Sequence, residues 1–168
     1  MSSVDRKAQH ERSVFLDFAK ASRMQIDEDL VEVRNPPEPD IRCSCEGHST
    51  YFELGRLLDQ GLQRLRLKAR RIAPQQVSCD YNSVGLPERD VLRAKLSKSY
   101  STSGLPLELL LYFDAESWLV AGGLPPVDFP WHAKHAMGPL LTPMPPHIRR
   151  VWVFERFRNT VLWFHPSG

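Results

Sequence analysis

Leu107-Glu108-Leu109-Leu110-Leu111-Tyr112-Phe113 is the segment that most narrows what this chain can become. The run carries a single charge and is far too short to cross a bilayer as a helix. It reads as a strand buried on both faces, in the middle of a sheet. Such a strand needs neighbours on either side and a covering layer above and below, so the rest of the chain must supply both. The 168 residues, 42% hydrophobic and 25% charged, are enough for one domain with a sizeable core. We take residues 1–168 as that single domain, with a core over 5–113 and a C-terminal extension over 114–168.

The flanking segments supply the remaining elements. Residues 5 to 21 read as a helix, because Ala8, Glu11, Phe15, Phe18 and Ala19 recur at helical spacing and Val14 widens the stripe. Leu30-Val31-Glu32-Val33 reads as a short strand ended by Asn35-Pro36-Pro37, since a proline pair cannot donate to a ladder. From Leu54 the period changes: Leu54, Leu57, Leu58, Leu62, Leu65, Ala69 and Ile72 fit one helix face. A further helix opens at Leu86-Pro87-Glu88, with Val91, Leu92 and Leu96 on its apolar side and Arg89, Arg93, Lys95 and Lys98 adding positive charge. A short helix is expected between an Asp128 N-cap and a Gly138 C-cap. Val151–Phe154 and Thr160–Phe164, joined around Arg158-Asn159, read as a hairpin that extends the sheet.

Two carboxylates stand out between these elements. Asp40-Ile41-Arg42-Cys43-Ser44-Cys45 alternates, which places Asp40, Arg42 and Ser44 on one face. Glu46-Gly47-His48 is a tight turn. The return strand, Ser49 to Leu54, puts Tyr51 and Glu53 together and Phe52 and Leu54 opposite. In register, Asp40 and Glu53 meet at one end of the sheet, on its less apolar side. Two ionised carboxylates held close repel each other, and a hard divalent cation with oxygen ligands is one way to keep both charged. The alternative is that both are exposed at a strand end, paired with Arg42 and Arg56.

Pro39-Asp40 followed thirteen positions later by Glu53 resembles the PD-(D/E)XK motif of the restriction-endonuclease-like nucleases. The order helix, three strands, helical segment, strand resembles that family's core. The resemblance implies a mixed α/β fold, with a central mixed sheet flanked by helices and here an added C-terminal β-hairpin. It implies that Asp40 and Glu53 bind magnesium or manganese, with the Leu54 backbone carbonyl as a further ligand and Glu11, from the first helix, as a candidate one. It implies hydrolysis of a phosphodiester in nucleic acid. The family's lysine, two positions beyond the Glu, is replaced here by Gly55, and Arg56 is the nearest cation to stand in for it. Glu38 is a candidate outer ligand or base.

The most basic stretch, Arg64, Arg66, Lys68, Arg70 and Arg71, follows Glu53 and is expected either to track a phosphate backbone or to solvate a helix face. The net charge of +2 is too small to argue for nucleic acid without such a local patch. Gly55 leaves a second class open: a catalytically inactive module that binds nucleic acid through the basic face, or a protein partner or second copy through the aromatic C-terminus. Zinc at Cys43, Cys45, His48 and Cys79 is disfavoured, because alternate strand positions do not form a knuckle. His132 and His135 lack further ligands for the same metal. No apolar run reaches the ~18 residues of a membrane span. The N-terminus lacks a signal-peptide core and the three cysteines form no framework, so a cytoplasmic location without membrane partners is expected.

Overall fold

The computed structural model describes residues 3–58, 87–114 and 129–166. Among these residues it is a mixed α/β structure: one six-stranded sheet in the order β1-β2-β3-β4-β5-β6, with three helices. The strands are β1 (Glu32–Val33), β2 (Ile41–Cys45), β3 (His48–Arg56), β4 (Leu107–Phe113), β5 (Ile148–Glu155) and β6 (Thr160–Pro166). The helices are α1 (Ser3–Ser22), α2 (Pro87–Leu96) and α3 (Phe129–Ala136). β1, β2 and β3 are antiparallel neighbours, β3, β4 and β5 run parallel, and β6 returns antiparallel along β5. Parallel pairs need crossovers, and α2 and α3 lie in those two connections.

β4 occupies the sheet centre and all seven of its residues are buried. Its two faces build two cores. On one, α1 packs Val14, Phe15 and Phe18 against Ile41, Phe52, Leu110 and Phe154, with the Phe15 and Phe52 rings 4.9 Å apart. On the other, Leu92 of α2, Ala133 of α3 and Met137, just after α3, cover Leu109, Leu111 and Val153. Arg156, in the β5–β6 turn, donates to Asp17 Oδ2 at 2.7 Å and Ser13 Oγ at 2.6 Å and so ties that turn to α1. The β2–β3 turn has positive φ at both Glu46 (51°) and Gly47 (80°). A two-residue hairpin loop needs that backbone to follow the strand twist.

Several expectations shift. Leu30 ends a 3-10 turn (Glu28–Leu30), so β1 is shorter than the apolar run suggests. No helix begins at Leu54: Leu54, Gly55 and Arg56 continue β3, because pairing with β4 carries on to Arg56 opposite Tyr112. The remainder of that expected helix lies outside the described residues. Gly138 does not close α3 with a left-handed cap; it opens a second 3-10 turn, Gly138–Leu141, in which Pro139 is accommodated near the start. Asp128 lies outside the described residues. Among the described residues, no helix is long and apolar enough to cross a membrane.

Candidate functional site

Asp40 stands one residue before β2, and Glu53 lies in the second half of β3. Ile41 pairs with Phe52, so the next positions outward set Asp40 opposite Glu53. Here the sheet opens. β2 begins at Ile41 while β3 runs on to Arg56 with β4 as its neighbour. Leu54 has therefore lost its β2 partner, and the Asp40 carboxylate takes that place: Leu54 N–H donates to Asp40 Oδ2 at 2.8 Å. Tyr51 N–H donates to Pro106 O and Leu57 N–H to Tyr112 O, so odd positions of β3 direct their backbone groups at β4. Leu54, at an even position, directs both its N–H and its carbonyl toward the Asp40 side.

Glu53 shares its face of β3 with Tyr51. The alternative of an exposed carboxylate does not hold for Glu53, because α2 packs over that face and leaves Glu53 1% exposed. A carboxylate so enclosed needs compensation. Glu53 Oε1 accepts from Lys95 Nζ at 2.6 Å and from Lys98 Nζ at 2.9 Å. Glu53 Oε2 is buried and has no hydrogen-bond partner among the described residues. Burial, and then the charge of Glu53, raise the Asp40 carboxyl above its ordinary value, against the opposing pull of Leu54 N–H, Lys95 and Lys7.

Gly55 explains why the cation comes from α2. A Cβ built there would stand 2.7 Å from Leu111 Cδ2, 2.9 Å from Val91 Cγ1 and 3.5 Å from Lys95 Cε. The helix lies directly on the strand at this point, which leaves no room for a side chain on residue 55. The Lys95 stem passes over the same spot and delivers its ammonium to Glu53. Tyr100 donates to Lys95 O at 3.1 Å, which secures the end of α2, and its ring lies 4.8 Å from Lys98 Nζ.

Arg56 does not take the lysine's part. It is three positions from Glu53, so strand alternation turns it to the opposite face, where its Nε lies 2.7 Å from Asp114 Oδ2. Glu11 pairs with Lys7 at 3.1 Å. Its carboxyl is raised by burial and then by Asp40, so it stands near enough to share that field. Burial alone would lower the Lys7 ammonium, yet the hydrogen bond and charge of Glu11, followed by Asp40 and Glu53, hold it above its ordinary value. Glu38 is engaged elsewhere, accepting from Tyr51 Oη at 2.7 Å and Arg34 Nε at 3.0 Å. Arg64, Arg66, Lys68, Arg70 and Arg71 lie outside the described residues.

The donor set suits a hard cation. Two carboxylates, one with a buried oxygen that has no hydrogen-bond partner among the described residues, and a strand carbonyl directed to the same side are all oxygen ligands. Among the described residues, no group of three or more His, Cys, Asp and Glu side chains could hold a metal, so such a cation would rest on the Asp40–Glu53 pair and backbone or solvent oxygens. Zinc finds no support. Cys43 and Cys45 are buried toward α1, and burial pushes their thiols up to about 12 and about 11, away from the thiolate a metal needs. Cys79 lies outside the described residues. His135 is engaged through Nδ1 with Trp131 O at 2.8 Å.

Sequence reasoning missed the Lys95–Glu53 and Lys98–Glu53 contacts. The signal for them was Gly55: a glycine where a lysine is expected marks a place where another element presses on the strand. No protein-family model, curated protein or solved structure matches the chain.

Proposed function

We propose that the chain is a metal-dependent phosphodiesterase acting on nucleic acid, with a restriction-endonuclease-like core. The observation that carries the reading is the meeting of Asp40, Glu53 and Lys95 where β2 ends and β3 runs on. The order helix, three strands, crossover helix, parallel strand around that point supports it.

Each residue has a role that its setting allows. Asp40 and Glu53, with the Leu54 carbonyl, would hold magnesium or manganese; when bound there, the ion supplies a more acidic water and offsets charge on the scissile phosphate. Leu54 N–H fixes the Asp40 carboxylate and leaves its second oxygen for the ion. Lys95, fixed by packing over Gly55, keeps a positive charge beside Glu53 and orients an attacking water. Lys7 adds a cation at the rim. The basic stretch from Arg64 to Arg71 follows directly in the chain and would bind the phosphate backbone.

The test is cleavage of plasmid DNA, single-stranded DNA and RNA with magnesium or manganese. Asp40→Asn, Glu53→Gln and Lys95→Ala abolish cleavage, while Arg56→Ala retains it. Activity that survives Asp40→Asn and Glu53→Gln sinks the proposal. A second reading, a non-catalytic binding module, is favoured by one observation. An open groove of about 740 Å³ between α3 and β6 is walled by Trp131, Trp163, His165 and Lys134, and Trp131 is largely exposed. Calorimetry with manganese separates the two readings, because the module needs no ion at Asp40 and Glu53.

A further inference from the structure

Glu53 receives both of its ammonium contacts on one oxygen. Two ammonium groups share Oε1, at 2.6 and 2.9 Å, while Oε2 has no hydrogen-bond partner among the described residues. Two cations on one atom repel each other, so the arrangement is stable only while the local charge is negative. Asp40 is the nearby carboxylate that can provide that charge, since its carboxyl feels both Glu53 and Lys95.

The two lysines are not equivalent. The Lys95 side chain is 22% exposed and its stem is wedged over Gly55. The Lys98 side chain is 40% exposed and lies beyond Leu96, the last residue of α2. Apart from Glu53, its ammonium is placed by the face of the Tyr100 ring. A half-exposed lysine gives up an ion pair at small cost, because water replaces the partner and the flexible stem regains freedom. A dication beside Glu53 would make one of the two ammonium groups redundant, and Lys98 is the one free to leave.

We infer that Lys98 is a displaceable counter-ion, holding Glu53 in the resting protein and passing to a phosphate of the nucleic acid when a divalent cation binds. This rests on the phosphodiesterase reading. It makes ion and substrate binding interdependent. The ion releases a point charge suited to phosphate, and the phosphate in turn keeps that charge away from Glu53. Lys95 remains in place throughout, so Glu53 is never left buried without a cation.

A displaceable Lys98 moves in opposite directions two affinities that an ordinary structural lysine would move together. In the full chain, Lys98→Gln should bind manganese roughly threefold to tenfold more tightly by calorimetry, because a competing charge is gone. The same variant should bind a fluorescent oligonucleotide, in calcium to prevent cleavage, roughly threefold to tenfold more weakly by anisotropy, because a phosphate contact is gone. Lys98→Arg, which keeps the charge, should restore both toward wild type. If manganese binds wild type but Lys98→Gln leaves both affinities unchanged, or shifts them in the same direction, the inference is overturned and the phosphodiesterase reading stands. If manganese fails to bind wild type at all, both fall.

Discussion

The Lys95 side chain crosses Gly55, with its Cε 3.5 Å from the point where a Cβ on that residue would project. A position two residues after the second acid is thus emptied, and its charge is delivered from a helix 42 residues downstream of Glu53. The strand and α2 approach so closely that a side chain on residue 55 and the helix exclude each other.

That contact makes Gly55 sensitive to the smallest enlargement. Gly55→Ala must move Val91, which is stiff at χ1, and Leu111, which is fully buried. Overpacking of this kind costs about 1–3 kcal/mol. Urea unfolding should show that loss. Adding a lysine at the position, in the double variant Gly55→Lys with Lys95→Ala, should not restore metal-dependent cleavage. A double variant as stable and active as wild type would show that the helix does not press on the strand as described.

Removing Lys95 tests the other end of the same contact. Lys95→Met keeps the stem over Gly55 and takes away the ammonium. Glu53 is then left with Lys98, so the loss should fall short of that for a wholly uncompensated buried charge, at about 1–3 kcal/mol. Glu53→Gln should remove most of the difference between wild type and Lys95→Met in a double-mutant cycle. Additive effects of the two substitutions would mean that the pair is not energetically coupled.

The architecture was legible where burial dictates pattern. The run from Leu107 to Phe113 announces a central strand, and the Phe15–Phe18 stripe announces the helix that covers it. The face shared by Asp40 and Glu53 follows from strand alternation, although the turn is Glu46-Gly47 alone and His48 already pairs with Cys45. What could not be read is how long β3 continues. Leu54 and Leu57 suit a helix face as well as a strand, and pairing with β4, a non-local interaction, decides between them. The cation was misplaced for the same reason. Arg56 is near Glu53 in the chain, yet alternation turns it toward Asp114, whereas Lys95 arrives through packing that no local pattern encodes.

Metal affinity should depend on pH through Asp40. Burial and the neighbouring Glu53 raise its carboxyl above the ordinary 3.8. A metal requires the ionised form, so protons compete with it to a higher pH than at a typical aspartate. Manganese affinity should therefore weaken as pH falls through that raised value and level off above it, with a proton released on binding in buffers near it. Calorimetry in two buffers of different ionisation enthalpy measures that proton directly. Affinity that stays constant down to the ordinary aspartate range would show that Asp40 is not a ligand.

A second buried carboxylate predicts a separate pH effect, on stability alone. Glu108 is 1% exposed on the α1 side of β4. Its Oε2 accepts from Trp152 Nε1 at 2.7 Å, and Arg150 lies 3.4 Å from Oε1 without a hydrogen bond to that oxygen. Burial raises its carboxyl, and Trp152 and Arg150 only partly oppose this. The folded state therefore prefers Glu108 protonated. The resulting stability is fully present below the ordinary value of 4.5 and is lost as pH rises through the raised folded value. Glu108→Gln keeps an acceptor for Trp152 and carries no charge to bury, so at pH 8 it should be more stable than wild type, by about 1 kcal/mol. The advantage should shrink as pH is lowered and wild type takes up its proton. Thermal melts of both proteins between pH 5 and 8 provide the measurement. A Glu108→Gln variant less stable than wild type at pH 8 would mean that Arg150 holds the ionised carboxylate strongly enough to outweigh its burial.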